Sequence, residues 1–136
     1  MYKCRHFALH EVVPQAMIDK RGVKAWELLD ERMLITLDRL RDRYGKMRMN
    51  DYHWGGSDQY RGLRTPESAD YSDTSQHAFG RAADPIFMGV TAEQVRQDLI
   101  ADPTAKCFEF ITSIELGVSW FHFDVRNCTP VKKYRP

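Results

Sequence analysis

An α+β fold is predicted for this chain: a small antiparallel sheet packed on one long helix and a shorter helix. Three observations predict it: an amphipathic repeat over residues 23–44, a helix-start signal at Thr91, and three short β-rich segments set between turn residues. Residues 1–21 predict a short strand, or a turn and helix near Pro14. Over residues 23–44, Trp26, Leu29, Met33, Leu37, Leu40 and Tyr44 recur at three- and four-residue steps while Asp and Arg fill the other face, the pattern of a core-facing helix. Gly45 stops it. A strand is predicted over residues 46–49. Residues 51–74 are rich in Gly, Ser, Asp and Arg without clear period, yet carry Tyr52, Trp54, Tyr60 and Tyr71, which predicts a long ordered loop. A second strand is predicted over residues 82–87. The shorter helix starts at Thr91, whose hydroxyl caps it while Gln94 reaches back, and ends by Asp102-Pro103, with Val95 and Leu99 toward the core. The last strand covers residues 118–125. Residues 129–136, with Lys132, Lys133 and Arg135, read as an exposed basic tail.

The chain has 136 residues, enough for a single domain over residues 1–136 that buries a core without disulfide or metal staples. A metal, if bound, would then serve function rather than folding. The net charge of +1 offers no electrostatic case for nucleic acid or an anionic membrane. No apolar run approaches the roughly 18 residues of a membrane span, and the opening residues lack a secretory apolar region, so no membrane partner and no export signal are expected. A monomer is expected. The three cysteines, Cys4, Cys107 and Cys128, are widely spaced with no C-x-x-C pair, and reduced structural thiols are expected.

Chemistry concentrates in two stretches, Ser75 to Asp84 and Trp120 to Asp124. His77, Asp84 and His122 offer two imidazoles and a carboxylate, three ligands that suit a divalent zinc ion and leave a fourth position open. His77 and Asp84 lie seven apart, a spacing that an unbroken strand would place on opposite faces. Gly80 can supply the required turn, while Ala82 and Ala83 keep bulk low beside the ion. Along the last strand, alternation puts Trp120, His122 and Asp124 on one face and Phe121, Phe123 and Val125 on the other. The second face is core. Asp124 then stands beside the ligand, where a carboxylate can orient the imidazole or a bound water.

Ser75-x-His77-x-x-Gly80-x-Ala82-x-Asp84 resembles the S-x-H-x-x-G-x-A-x-D signature of the zinc D-alanyl-D-alanine carboxypeptidase family, to which phage L-alanyl-D-glutamate endopeptidases also belong and whose fold the Hedgehog signalling domain shares. Every specified position matches. Arg61-Gly62-Leu63-Arg64-Thr65-Pro66-Glu67 is similar to the family's G-[FY]-R-[ST]-P-E segment, and Phe121-His122-Phe123-Asp124-Val125 to its C-terminal H-x-D strand. The similarity covers about residues 46–127, in the family's order. It implies zinc held by His77, Asp84 and His122, and Arg64 holding the carboxylate of a peptidoglycan stem peptide. A planar guanidinium suits that role because it pairs with a carboxylate through two parallel hydrogen bonds. Arg61 is the near competitor for it. Ser75 either hydrogen-bonds substrate or braces its loop.

One position departs from the family. Many members carry Asp or Glu three residues before the last zinc histidine, where this chain has Ser119, which cannot take a proton from water at neutral pH. Glu115 and Asp124 are the candidate general bases, with Glu115 preferred, and His53 is a candidate transition-state donor. The activity implied is hydrolysis of a peptide bond in bacterial cell-wall stem peptides, as carboxypeptidase or endopeptidase. A wall enzyme of this size without a secretory signal suits a phage, acting from the host cytoplasm at lysis or carried with other virion components. Ser119 also leaves room for a non-catalytic zinc-binding interaction module on the same fold.

Overall fold

The computed structural model describes residues 1–128 and 131–136. A 3-10 turn at Leu9–Glu11 leads to Pro14, which caps helix α1 (Gln15–Arg21), so the predicted turn and helix form near that proline. The arm before them is pinned by a buried carboxylate. Asp38 accepts hydrogen bonds from the Tyr2 hydroxyl (2.6 Å) and from the backbone N–H groups of Arg5 (2.8 Å) and His6 (3.0 Å), which satisfies a charge that burial would otherwise penalise heavily.

The predicted helix over residues 23–44 is two pieces. A 3-10 helix at Gly22–Leu28 ends in extended backbone at Leu29, and α2 (Glu31–Tyr44) starts afresh after Asp30. Asp30 causes the break. Its side chain accepts the Arg32 N–H at 2.9 Å as an N-cap, and its own N–H is taken by the Gly80 carbonyl, also at 2.9 Å, so a continuous helix loses its hydrogen bond there. The apolar face survives the break: Trp26, Leu29, Met33, Leu37 and Leu40 are all buried in the core. Helix α2 stops at Gly45, as predicted.

The predicted strands are shorter, and they divide between two sheets. Strands β1 (Met47–Arg48) and β3 (Ile86–Phe87) pair antiparallel as a two-stranded sheet. Strand β2 (Ala82–Ala83) belongs elsewhere, because Asp84-Pro85 interrupts the predicted 82–87 strand: Pro85 has no N–H, and the Asp84 N–H bonds to the Arg61 carbonyl at 2.8 Å. The main sheet runs in the order β2-β5-β4-β6, with β4 at Ser113–Glu115, β5 at Phe123–Asp124 and β6 at Lys132–Tyr134. Its first three strands are antiparallel, and β6 joins parallel to β4.

Two expectations about the C-terminal third change. The 118–125 strand shrinks to β5 because the carbonyls of Val118 and Trp120 are bound by the Arg96 guanidinium, at 2.8 and 2.6 Å, instead of a neighbouring strand. Arg96 stands on α3 (Ala92–Ala101), buried against the core, so the shorter helix fixes the loop that leads into His122. Its predicted cap is half formed: Thr91 accepts the Gln94 N–H, but the Gln94 amide reaches forward to Asp98. The predicted basic tail is the second change. Lys132 and Lys133 are exposed, yet they lie in β6, and Tyr134 turns inward. Thr129 and Pro130 of that tail lie outside the described residues.

Helix α2 meets the sheet at β2, and its Met33, Leu34, Leu37 and Leu40 share one buried core with Ala83, Ile114, Phe121, Phe123 and Val125. Burial of Phe121, Phe123 and Val125 is complete or nearly so, as alternation predicts. Residues 51–74 hold one short 3-10 turn, Tyr52–Trp54, and otherwise irregular backbone tied down by hydrogen bonds, as expected of an ordered loop. All three cysteines are free thiols. Among the described residues, no helix is long and apolar enough to cross a membrane.

Candidate metal centre

Strand register builds the centre. Ala83 pairs with Phe123, and Ala82 with Asp124; one step further along the ladder sets Asp84 opposite His122, and their side chains meet with Asp84 Oδ1 2.8 Å from His122 Nδ1. His77 enters from the loop before β2. Gly80, at φ +67°, turns that loop so that His77 Nε2 lies 3.3 Å from Asp84 Oδ2. The donor atoms of His77, Asp84 and His122 all lie within 4.8 Å of one another, close enough to hold one metal ion. Both histidines are buried, and Asp84 is partly so.

Each imidazole is oriented from behind. His77 Nδ1 lies 2.8 Å from the Gly62 carbonyl, which can only accept, so Nδ1 carries the proton and Nε2 keeps its lone pair for an ion. Gly62 itself is held by the loop, whose Leu63 N–H bonds to the Val12 carbonyl. His122 Nε2 donates to Asp124 Oδ2 at 2.9 Å, leaving Nδ1 toward Asp84 and His77. Asp124 is fully buried and gripped by Arg126 through two bonds of 2.7 and 2.6 Å. Its room comes from its neighbours across the ladder, Ala82 and Ser113, both small. The donor set therefore fits a divalent metal with outer-shell partners in place.

Charge states follow from this packing. Burial pushes the Asp84 carboxyl up, but the two imidazoles outweigh it and hold the group well below the usual carboxylate range. Burial likewise opposes the charge on His122, yet Asp124, Asp84 and Glu115 together raise its pKa to about 9 in the metal-free protein. A metal must displace that proton. Metal uptake at pH 7 is thus expected to release close to one proton per chain, and affinity to rise with pH until about 9. The sign for folding is opposite: metal-free stability from charged His122 is full below the unfolded value near 6.5 and is lost as pH rises through about 9. Calorimetric titration of metal in two buffers of different ionisation enthalpy counts the protons; no release at pH 7 would contradict the assignment.

The centre opens into a cavity of about 640 Å³. Arg64, Ser75, Glu115 and Arg126 share its lining with the three metal-site residues. Arg64 stands 3.5 Å from Asp84 Oδ2, and its Nε is buried without a protein partner among the described residues. Arg61, the competitor, is spent on structure, bonding Asp58 Oδ2 (3.0 Å) and the Asp84 carbonyl (2.9 Å). Ser75 Oγ accepts the His77 N–H at 3.2 Å and so braces the ligand loop. Glu115 is brought in from the end of β4, with Oε1 3.8 Å from His122 Nδ1. Asp124 faces the other nitrogen of that ring. It bonds that nitrogen at 2.9 Å and is buried behind the ring.

Two sequence candidates, Asp124 and His53, fall outside the cavity lining, as does Ser119. Ser119 is exposed on the loop held by Arg96, and His53 stacks on His10 with ring centroids 3.9 Å apart. The expected donor role for His53 has no geometry behind it. Sequence reasoning missed Arg126, which lines the cavity, and also Tyr134 of β6, whose hydroxyl bonds Glu115 Oε1 at 2.9 Å. Burial raises its pKa, with the Glu115 hydrogen bond adding to the effect, so the phenol stays protonated and donates. A three-residue strand of Lys-Lys-Tyr is too short for alternation to reveal it. No protein-family model, curated protein or solved structure matches the chain.

Proposed function

We propose that this chain is a zinc-dependent peptidase that hydrolyses peptidoglycan stem peptides, as a D-alanyl-D-alanine carboxypeptidase or an L-alanyl-D-glutamate endopeptidase of a phage. One observation carries the reading: the cavity that contains His77, Asp84 and His122 also contains a carboxylate, Glu115, and an arginine with an unpartnered buried nitrogen, Arg64. The full match to the S-x-H-x-x-G-x-A-x-D signature supports the zinc assignment and the substrate class. When bound, zinc supplies Lewis-acid polarisation of the scissile carbonyl and activation of water at neutral pH.

The chain's own residues do the rest. Arg64 pairs with a substrate carboxylate and fixes which bond reaches the centre. Glu115 accepts the proton of the attacking water and returns it to the leaving amine. Asp124 and the Gly62 carbonyl hold the two imidazoles in place. Glu115 takes over the task for which Ser119 is unfit, reaching the same centre from a neighbouring strand.

Kinetics on a defined stem peptide test this division of labour. Glu115→Gln is expected to lower kcat by about 10²- to 10⁴-fold, the usual contribution of a general base, while metal content stays at that of the unaltered protein. Amidation of the substrate carboxylate, or Arg64→Ala, is expected chiefly to raise KM. Unchanged kcat in Glu115→Gln would remove the base from the proposal.

A further inference from the structure

We infer that Tyr134 is a positioning residue for Glu115, which makes strand β6 part of the reaction site rather than a structural edge. The inference rests on the reading of Glu115 as the base. It concerns a residue beyond positions 46–127, the span that carries the signature motifs.

The geometry is a two-point clamp. Tyr134 Oη donates to Glu115 Oε1 at 2.9 Å, and Trp120 Nε1 donates to Glu115 Oε2 at 3.0 Å. Oε1 is also the oxygen 3.8 Å from His122 Nδ1. A free glutamate samples several rotamers at three side-chain torsions. Donors from two different elements, one on each oxygen, restrict it to the rotamer that faces the metal centre. A carboxylate has about four lone-pair sites, so two donors leave it able to accept a proton.

Tyr134 is itself fixed on three sides. Its residue pairs in register with Glu115 across the parallel β4–β6 ladder, where the Leu116 N–H bonds to the Tyr134 carbonyl at 2.7 Å and the Lys132 N–H to the Thr112 carbonyl at 2.8 Å. The Arg126 guanidinium lies 5.2 Å from its ring centroid, and the His122 ring meets it edge-on at 6.3 Å. Arg126 is the same residue that grips Asp124. The phenol therefore links the carboxylate on the reactive side of His122 to the ion pair behind it. Tyr134→Phe removes only the hydroxyl and leaves the ring packing, so it separates positioning from folding.

The test uses the full chain loaded with zinc, as the original protein, Tyr134→Phe and Glu115→Gln. Two readouts are taken: kcat and KM on a stem peptide, and the Trp120 indole N–H resonance, one of three in the chain. Tyr134→Phe is expected to lower kcat roughly 10- to 100-fold, as outer-shell losses do, with KM and zinc affinity within about twofold. The Trp120 resonance is expected to move in the direction that Glu115→Gln moves it. An unmoved resonance overturns the inference whatever kcat does, and so does an unchanged kcat. If the original protein itself shows no turnover, the hydrolase reading fails while a shifted resonance still supports the clamp.

Discussion

Replacing His122 with alanine is expected to abolish stoichiometric zinc binding and all metal-dependent hydrolysis. The loss should exceed the roughly 10- to 100-fold that removing an outer-shell partner costs, because a ligand itself disappears. Asp124→Asn, which keeps a partner on His122 Nε2 but weakens it, is expected to fall within that smaller range. His122→Ala also leaves two carboxylates short of a partner, the partly buried Asp84 and the fully buried Asp124. Asp124 retains Arg126, so destabilisation should lie at or below the lower end of the roughly 3–5 kcal/mol seen when a buried ion pair is broken. Competition with a chromophoric chelator measures the affinity, and urea unfolding of the metal-free protein measures the stability. Zinc affinity in His122→Ala equal to that of the unaltered chain would mean the ion sits elsewhere.

Gly80→Ala is expected to damage the fold strongly. Gly80 sits at φ +67°, and a Cβ there would lie 2.1 Å from the Leu28 carbonyl oxygen. A backbone carbonyl cannot swing aside, and the Gly80 carbonyl is committed to the Asp30 N–H. Left-handed backbone costs about 1–2 kcal/mol for a residue with a Cβ, and steric overpacking adds about 1–3. The sum, about 2–5 kcal/mol, should appear as a lower urea midpoint and weaker zinc binding, since Gly80 turns the chain between His77 and Asp84. Gly55→Ala is the control: Gly55 is left-handed, at φ +91° and ψ 3°, with open space around it, so only the backbone part, about 1–2 kcal/mol, is expected. Equal losses at the two sites would refute the steric argument.

Legibility of the chain tracked the range of the forces involved. Apolar periodicity correctly placed Trp26, Met33, Leu37 and Leu40 in the core, because burial depends on the face a residue presents and survives a break in the helix. The break itself was hidden, since it needs the Gly80 carbonyl, 50 residues away, to claim the Asp30 N–H. The alternation of Phe121, Phe123 and Val125 against His122 and Asp124 held for the same reason as the helix face did. Strand lengths did not, because Arg96 of a different element takes the carbonyls that would have extended β5. At the site, local motifs brought His77, Asp84 and His122 together, and Asp124 was foreseen as the partner of an imidazole. Tyr134 was invisible. Its role depends on a parallel pairing with β4 that no short-range pattern in Lys-Lys-Tyr announces.

The most direct measurement is release of new amino groups and free D-alanine from purified peptidoglycan by the zinc-loaded chain, run beside His122→Ala. The account predicts metal-dependent release by the unaltered chain and none by the variant, with fragment masses naming the bond cut. No release from a chain that still binds about one zinc would contradict it, and would leave a zinc-binding module on the same scaffold in place of the enzyme.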